Sequence, residues 1–240
     1  MQNGTDLYGD ASSTQSAIIV PKPDDENIYF VFTVDNALDG TNLGFNYSIV
    51  DMSLAGGLGG LSSKNINLLQ NCSEKISAVL KDCVDKSIWV ITFASFAGNS
   101  GNFNTFHAFE VNNLGVNTNS VKSTFGINIS DIRGYLKLSP DGTKLANANA
   151  QDGLYLYDFD SDTGVVSNQI QLNTSAPNNK PYGIEFSPNS QLLYVASSND
   201  YFNPSNPGEN NNPSNHTSSL VQFDLTQPNI QATQTTIDNR

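Results

Sequence analysis

The sequence predicts an all-β chain built from about four small antiparallel sheets, and three observations carry that expectation. The first is a repeat. Residues 135–145 read YLKLSPDGTKL and residues 182–194 read YGIEFSPNSQLLY, with their Ser-Pro pairs 48 residues apart. Each copy is followed by a second matched piece, LYLYDFD at 154–160 and LVQFDL at 220–225. Self-similarity at this spacing marks a stacked or radial array, and strand, tight turn, strand, loop, strand is the make-up of a β-propeller blade. The second is composition. Thirteen Phe and nine Tyr supply bulk suited to pleated surfaces. The third is an absence of helical signal, since no stretch keeps a sustained 3.6-residue apolar period.

Four units follow in order. In the first, AIIVPKP (17–23) and IYFVFTVD (28–35) flank the turn Asp24-Asp25-Glu26-Asn27, and FNYSIVDMSL (45–54) follows a Gly/Asn/Asp loop. The run AGGLGGL (55–61) reads as a flexible connection. Its glycines do not sit between a strand and a helix, as a phosphate-cradling loop requires. The second unit has EKISAVL (74–80), SIWVITF (87–93), the loop ASFAGNSGNFN (94–104) and TFHAFEVN (105–112). GVNTNSVKSTFG (115–126) supplies an outer strand.

The third unit turns at Ser139-Pro140-Asp141-Gly142, where proline presets φ and glycine accepts a positive φ. Its strand LYLYDFD alternates, and VVSNQIQL follows as an outer strand. The fourth unit is YGIEFSPNSQLLYVASS, then an Asn/Pro-rich insertion at 199–217, then LVQFDL and a last strand in the tail. The blades are expected at about 15–60, 72–126, 132–173 and 180–240, in a single domain. Their first recognisable strands begin near residues 17, 76, 135 and 182, spaced by 59, 59 and 47 residues, and most of the variation falls in loops. A propeller must close or expose apolar faces, and rings of about six to eight blades are common. The expectation is therefore the front part of a larger ring, completed by further blades or by another chain.

Charge narrows the partners. The formal net charge is −12, from 23 acidic and 11 basic residues. That argues against nucleic acid and against an anionic membrane surface. No run of about 18 apolar residues exists to span a bilayer. The opening residues lack the charged and apolar regions of a signal peptide. An acidic, Lys-poor surface fits an extracellular or cell-surface protein.

Candidate sites are few. His107 lies between apolar neighbours and reads as a packed, hydrogen-bonded histidine, and His216 falls in the insertion. No catalytic residue and no cofactor is expected. Asp158, Asp160 and Asp162 alternate, but the following glycine is one place late and Gln169 stands at position twelve, so the calcium-loop pattern fails. Asp24, Asp25 and Glu26 form a hairpin tip with a low-affinity calcium option. Trp89 reads as core. Phe96, Phe103, Tyr201 and Phe202 lie in Gly/Asn-rich loops and are the candidates for stacking on a sugar ring or anchoring a partner. Cys72 and Cys83 flank an extended strand of seven residues, about 23 Å long, too far apart for a disulfide, so two free thiols are expected.

A family resemblance rests on segments in one order: QSAIIVPKPDDENIYFVFTVD (15–35), YSIVDMSLAGGLG (47–59), EKISAVLKDCVDKSIWVIT (74–92), GYLKLSPDGTKLA (134–146), YDFDSDTGVV (157–166) and YGIEFSPNSQLLYVAS (182–197). Together they resemble the N-terminal YVTN/WD-like propeller of secreted Bacteroidetes proteins that carry gliding-motility-associated or type IX secretion sorting domains. The resemblance covers about residues 4–226. It implies a surface or secreted module with no assigned catalytic residue. Phe93 stands where that family often has His, and no sorting domain follows in this sequence. The functional expectation is a non-enzymatic module that contacts protein or glycan through rim loops. The alternatives are a propeller enzyme of the lactonase or quinoprotein type and a purely structural spacer.

Overall fold

A computed structural model describes residues 1–35, 42–174, 180–199, 212, 214 and 216–240. Four antiparallel sheets follow one another along the chain. The first holds β1 (Ala17–Lys22), β2 (Asp25–Val34), β3 (Phe45–Asp51) and β4 (Gly60–Leu69), hydrogen-bonded in chain order. The second holds β5 (Ile76–Leu80), β6 (Ile88–Ala94) and β7 (Phe103–Asn112), with an outer strand broken into β8 (Gly115–Val116) and β9 (Val121–Ile129), both paired to β7. The third holds β10 (Leu136–Leu138), β11 (Lys144–Asn149), β12 (Gly153–Asp160) and β13 (Val165–Leu172). The fourth holds β14 (Lys180–Phe186), β15 (Leu192–Ser198), β16 (Ser218–Asp224) and β17 (Thr235–Asn239).

Three buried clusters join neighbouring blades. Phe30, Phe32, Phe45 and Tyr47 of the first blade pack on Val90, Phe109 and Val111 of the second. Ile91, Phe93 and Phe106 of the second pack on Leu136, Leu145 and Tyr157 of the third. Ala146, Ala148, Leu154 and Leu156 of the third pack on Ile184, Leu193, Val195 and Phe223 of the fourth. Period-two alternation explains the pattern, since each middle blade sends one set of side chains to each neighbour. Among the described residues no buried cluster joins the fourth blade to the first.

The structure differs most from the expected elements in the first blade. The sequence predicts a connection at residues 55–61. The chain makes a short 3₁₀ turn at Leu54–Gly57 and then enters β4, so the first blade runs to Leu69. The strand was hidden because Ser62, Ser63 and Lys64 are exposed and Leu61 and Leu69 alone are fully buried apolar anchors. Its edge is also occupied, because Leu61 N–H donates to Gln2 O at 3.0 Å and Gln2 pairs in parallel with Gly60.

The repeat has a shared local cause. In the third blade Ser139 Oγ accepts from Lys144 N at 2.9 Å, and 48 residues later Ser187 Oγ accepts from Leu192 N at 2.9 Å. The same serines donate to Asp141 Oδ1 and Asn189 Oδ1 at 2.7 Å each. The two turns also touch, as Asp141 N–H donates to Ser190 Oγ at 3.1 Å.

Strand direction then sorts the loops. The innermost strands of the blades begin at one rim, because Thr14, Gly134 and Tyr182 lie at three of those beginnings and the Thr14 hydroxyl is in hydrogen-bond contact with both the Gly134 amide and the Tyr182 phenol. Alternation returns the second strand of each blade to that rim. The connections at 95–102 and 150–152, together with Asp35, Leu43 and Gly44, Asn199 and Thr217, therefore share it. The hairpin at Asp24, the 81–87 turn and the Ser-Pro turns lie at the opposite rim.

Candidate functional site

The first rim carries a polar cluster at the axis. Its members come from the residues just before β5 and β10 and from β14 itself. Lys75 is completely buried, and its three ammonium protons find three acceptors on β11: Asn147 Oδ1 at 2.9 Å, Ala148 O at 2.6 Å and Asn149 Oδ1 at 2.5 Å. An ammonium has three donors and no acceptor, so this cage is saturated. Burial pulls the Lys75 pKa down to about 7, against the opposing pull of Asp131, Glu74 and Asp152.

Arg133 is held by Asp131 in a two-bond fork, Nε to Oδ1 at 2.9 Å and Nη2 to Oδ2 at 2.6 Å. Asp152 accepts from the backbone amides of Ser130 and Asp131 at 2.8 and 2.7 Å, which fixes the entry to β10. Glu74 is buried, and burial raises its carboxyl pKa although Thr14 N–H donates to Oε2 at 3.2 Å. Burial likewise raises the Tyr182 phenol. Tyr182 meets Tyr135 edge to face, with ring centroids 6.1 Å apart. Gly134, next to Tyr135 in the chain, has φ +109°, and a Cβ there would lie 2.5 Å from Ala148 O, so only glycine fits.

Of the residues singled out from sequence, Phe96 sits on the same rim and is 60% exposed. Lys122 Nζ lies 4.6 Å from its ring centroid and donates to Phe96 O at 3.0 Å, which pins the ring in a presented position. Phe103 is not a loop residue. It opens β7 and leans on Phe93, centroids 6.4 Å apart, because the strand starts earlier than the glycine-rich loop suggests. Tyr201 and Phe202 lie outside the described residues.

Asp24, Asp25 and Glu26 sit at the opposite rim, with Asp24 paired to Lys86 at 3.1 Å and Asp25 to Lys22 at 3.2 Å. Among the described residues no three His, Cys, Asp or Glu side chains are grouped to hold a metal ion. No described helix is long and apolar enough to cross a membrane.

His107 packs inside the second blade. Its Nε2 lies 2.9 Å from Ser95 O, which can only accept, so that nitrogen carries the proton and Nδ1 accepts from Ser120 Oγ at 2.9 Å. Burial lowers its pKa. Trp89 is core, with Nε1–H donating to Ser161 O at 2.7 Å. Both thiols are free, Cys72 buried and Cys83 exposed.

The sequence reading missed Glu74, Lys75, Asp131, Arg133 and Tyr182. A signal existed. EK at 74–75, DIRG at 131–134 and KPYG at 180–183 place charged or aromatic residues at matching points of successive repeats, at or just before an innermost strand.

No protein-family model and no curated protein matches this chain. Among solved structures it is similar to the Dos1 propeller, with a TM-score of 0.51 and 10% identity over 92% of this chain and 46% of that one. It is similar to the β-propeller domain of Cps50 (Swd1) from Myceliophteria thermophila, with a TM-score of 0.46 and 11% identity over 88% and 52% of the two chains. It is also similar to a candidate 6-phosphogluconolactonase of Bacteroides uniformis, with a TM-score of 0.44 and 12% identity over 92% and 70%. The chain spans about half the length of the first two. With four successive antiparallel sheets and almost no helix, the chain has a β-propeller fold.

Proposed function

We propose that this chain is a non-enzymatic interaction module, secreted or held at the cell surface, that contacts a protein or glycan partner through the rim at which its innermost strands begin. One observation carries the reading. The titratable groups that gather at the axis are occupied as structural donors and acceptors, while an apolar ring, Phe96, is held outward on the same rim. Saturated polar groups position backbone, and presented aromatics anchor partners. The segment resemblance to secreted Bacteroidetes propellers supports the surface location. Further blades, of a longer chain or of another one, complete the ring in this reading.

Affinity capture from cell-surface extracts and a glycan array test the proposal together. The wild-type chain is expected to retain a partner or a glycan, and Phe96→Ala and deletion of 199–217 are each expected to weaken retention at least tenfold. Retention unchanged in both variants, or no retention by the wild type, overturns it.

A further inference from the structure

Residues 13–15 touch all four blades, and the contacts they make are those of a bound peptide. Gln15 N–H donates to Glu74 O at 3.1 Å and Thr14 N–H donates to the Glu74 carboxylate at 3.2 Å. These two bonds read backbone, and any residue type except proline would make them. The Thr14 hydroxyl is read separately. It accepts from Gly134 N–H at 3.2 Å and lies 2.9 Å from the Tyr182 phenol. Ser13 is buried, with Oγ donating to Val34 O at 3.4 Å. A valine at position 14 would keep the shape and leave the Gly134 amide without its partner.

The backbone that carries Gly134 and Tyr182 is fixed independently of this segment. Tyr135 N–H donates to Tyr182 O at 2.9 Å, which locks the third and fourth blades together at this point. Arg133 is clamped by Asp131, and Gly134 is confined by Ala148. Preorganised groups that read backbone amides and one side chain are the ingredients of peptide recognition.

We propose that this axial mouth is a recognition site for an extended peptide segment carrying a threonine or serine, and that residues 13–15 of the chain occupy it as a resident ligand. The proposal rests on the reading of this rim as the interaction face and names the ligand class at its centre. An incoming peptide must displace the resident segment, so its apparent affinity falls by the fraction of molecules in which the mouth is open. Each hydroxyl bond removed from the resident segment raises that fraction.

The test uses a fluorescein-labelled peptide of residues 10–18 and the same peptide carrying Thr14→Val, titrated by anisotropy into the full chain. Three forms of the chain are compared: wild type, Thr14→Gly and Thr14→Val, with folding followed by circular dichroism and Tm. Thr14→Val keeps the β-branched shape and stands in if Thr14→Gly does not fold. The threonine peptide is expected to bind the loosened chains at least tenfold more tightly than the wild type, because two hydrogen bonds of about 1 kcal/mol each are gone. The valine peptide is expected to bind at least fivefold more weakly. Tyr182→Phe in the loosened background should narrow the difference between the two peptides at least twofold, leaving the part due to the Gly134 amide, and Lys86→Ala at the opposite rim should leave it intact. No binding by a folded loosened chain, equal binding by all forms, or equal binding of both peptides overturns the proposal. Partner capture is read in a separate assay, so lost capture with intact peptide binding refutes the rim reading and not this site.

Discussion

Lys75 Nζ donates to Asn149 Oδ1 at 2.5 Å, across the seam between the second and third blades. The two residues are 74 positions apart, and the cage they share with Asn147 and Ala148 O is fully buried. A buried ammonium is favoured by its acceptors and by nearby carboxylates and disfavoured by its loss of water, which is the larger effect at Lys75. The seam therefore has a pH dependence with a definite sign. The folded-state pKa of about 7 lies below the unfolded value of about 10.4. Between these values the unfolded chain binds the extra proton, so the contribution of this group to stability rises with pH from about 7 to about 10 and is lost as pH falls through 7. Urea midpoints at pH 6.5, 8 and 9.5 for wild type and Lys75→Met should show a wild-type gain with pH that the variant lacks. Parallel curves would contradict the assignment.

Truncating the same side chain tests the cage itself. Lys75→Ala leaves three buried acceptors without a donor and opens a cavity, and it should destabilise the chain by roughly 3–5 kcal/mol. An exposed lysine such as Lys86, paired with Asp24 on the surface, should change stability by under about 1 kcal/mol when replaced by alanine. Chemical denaturation of both variants gives the comparison directly.

Gly164 offers an independent check on blade packing. Its φ is +75°, and a Cβ there would stand 2.8 Å from the Trp89 ring. That ring is also fixed by the Nε1–H bond to Ser161 O. Gly164→Ala combines a left-handed backbone with overpacking, and a loss of roughly 2–4 kcal/mol is expected. A Tm within a degree of wild type would mean that the 161–164 turn is free to move away from Trp89.

Phe96 and Phe103 look alike in the sequence, as bulky residues in one glycine-rich stretch, and the structure separates them. Phe96→Ala should leave stability within about 0.5 kcal/mol, as for an exposed side chain, while weakening partner capture. Phe103→Ala removes a ring packed on Phe93 and should cost about 1–3 kcal/mol. Equal stability effects would place both rings in the same environment and remove the case for Phe96 as a presented anchor.

The blades were legible because their signals are local. A Ser-Pro turn is written by the residues that make it, and alternation in LYLYDFD reports a two-sided strand without reference to its neighbours. β4 was not legible, because an outer strand with one edge against the N-terminal segment needs few apolar residues. The axial cluster was hidden for a different reason. Lys75, Asn147 and Asn149 are unremarkable polar residues in sequence, and their meaning arises when two blades meet. Phe103 was misplaced by a rule about glycine-rich loops that the start of β7 overrode.

The two cysteines give a last contrast that depends on burial alone. Cys72 lies in the first inter-blade core, and burial raises its thiol pKa far above the ordinary range, so almost no thiolate exists at neutral pH. Cys83 is exposed in the turn between β5 and β6. A thiol reagent such as 5,5′-dithiobis(2-nitrobenzoate) should modify one thiol per native chain within minutes at pH 8, and Cys83→Ser should abolish that fast phase. The second thiol should react only in denaturant, at a rate that follows unfolding. Two fast equivalents from the native chain would show that the core between the first and second blades opens on the timescale of the reaction, and would weaken the assignment of that cluster as a packed seam.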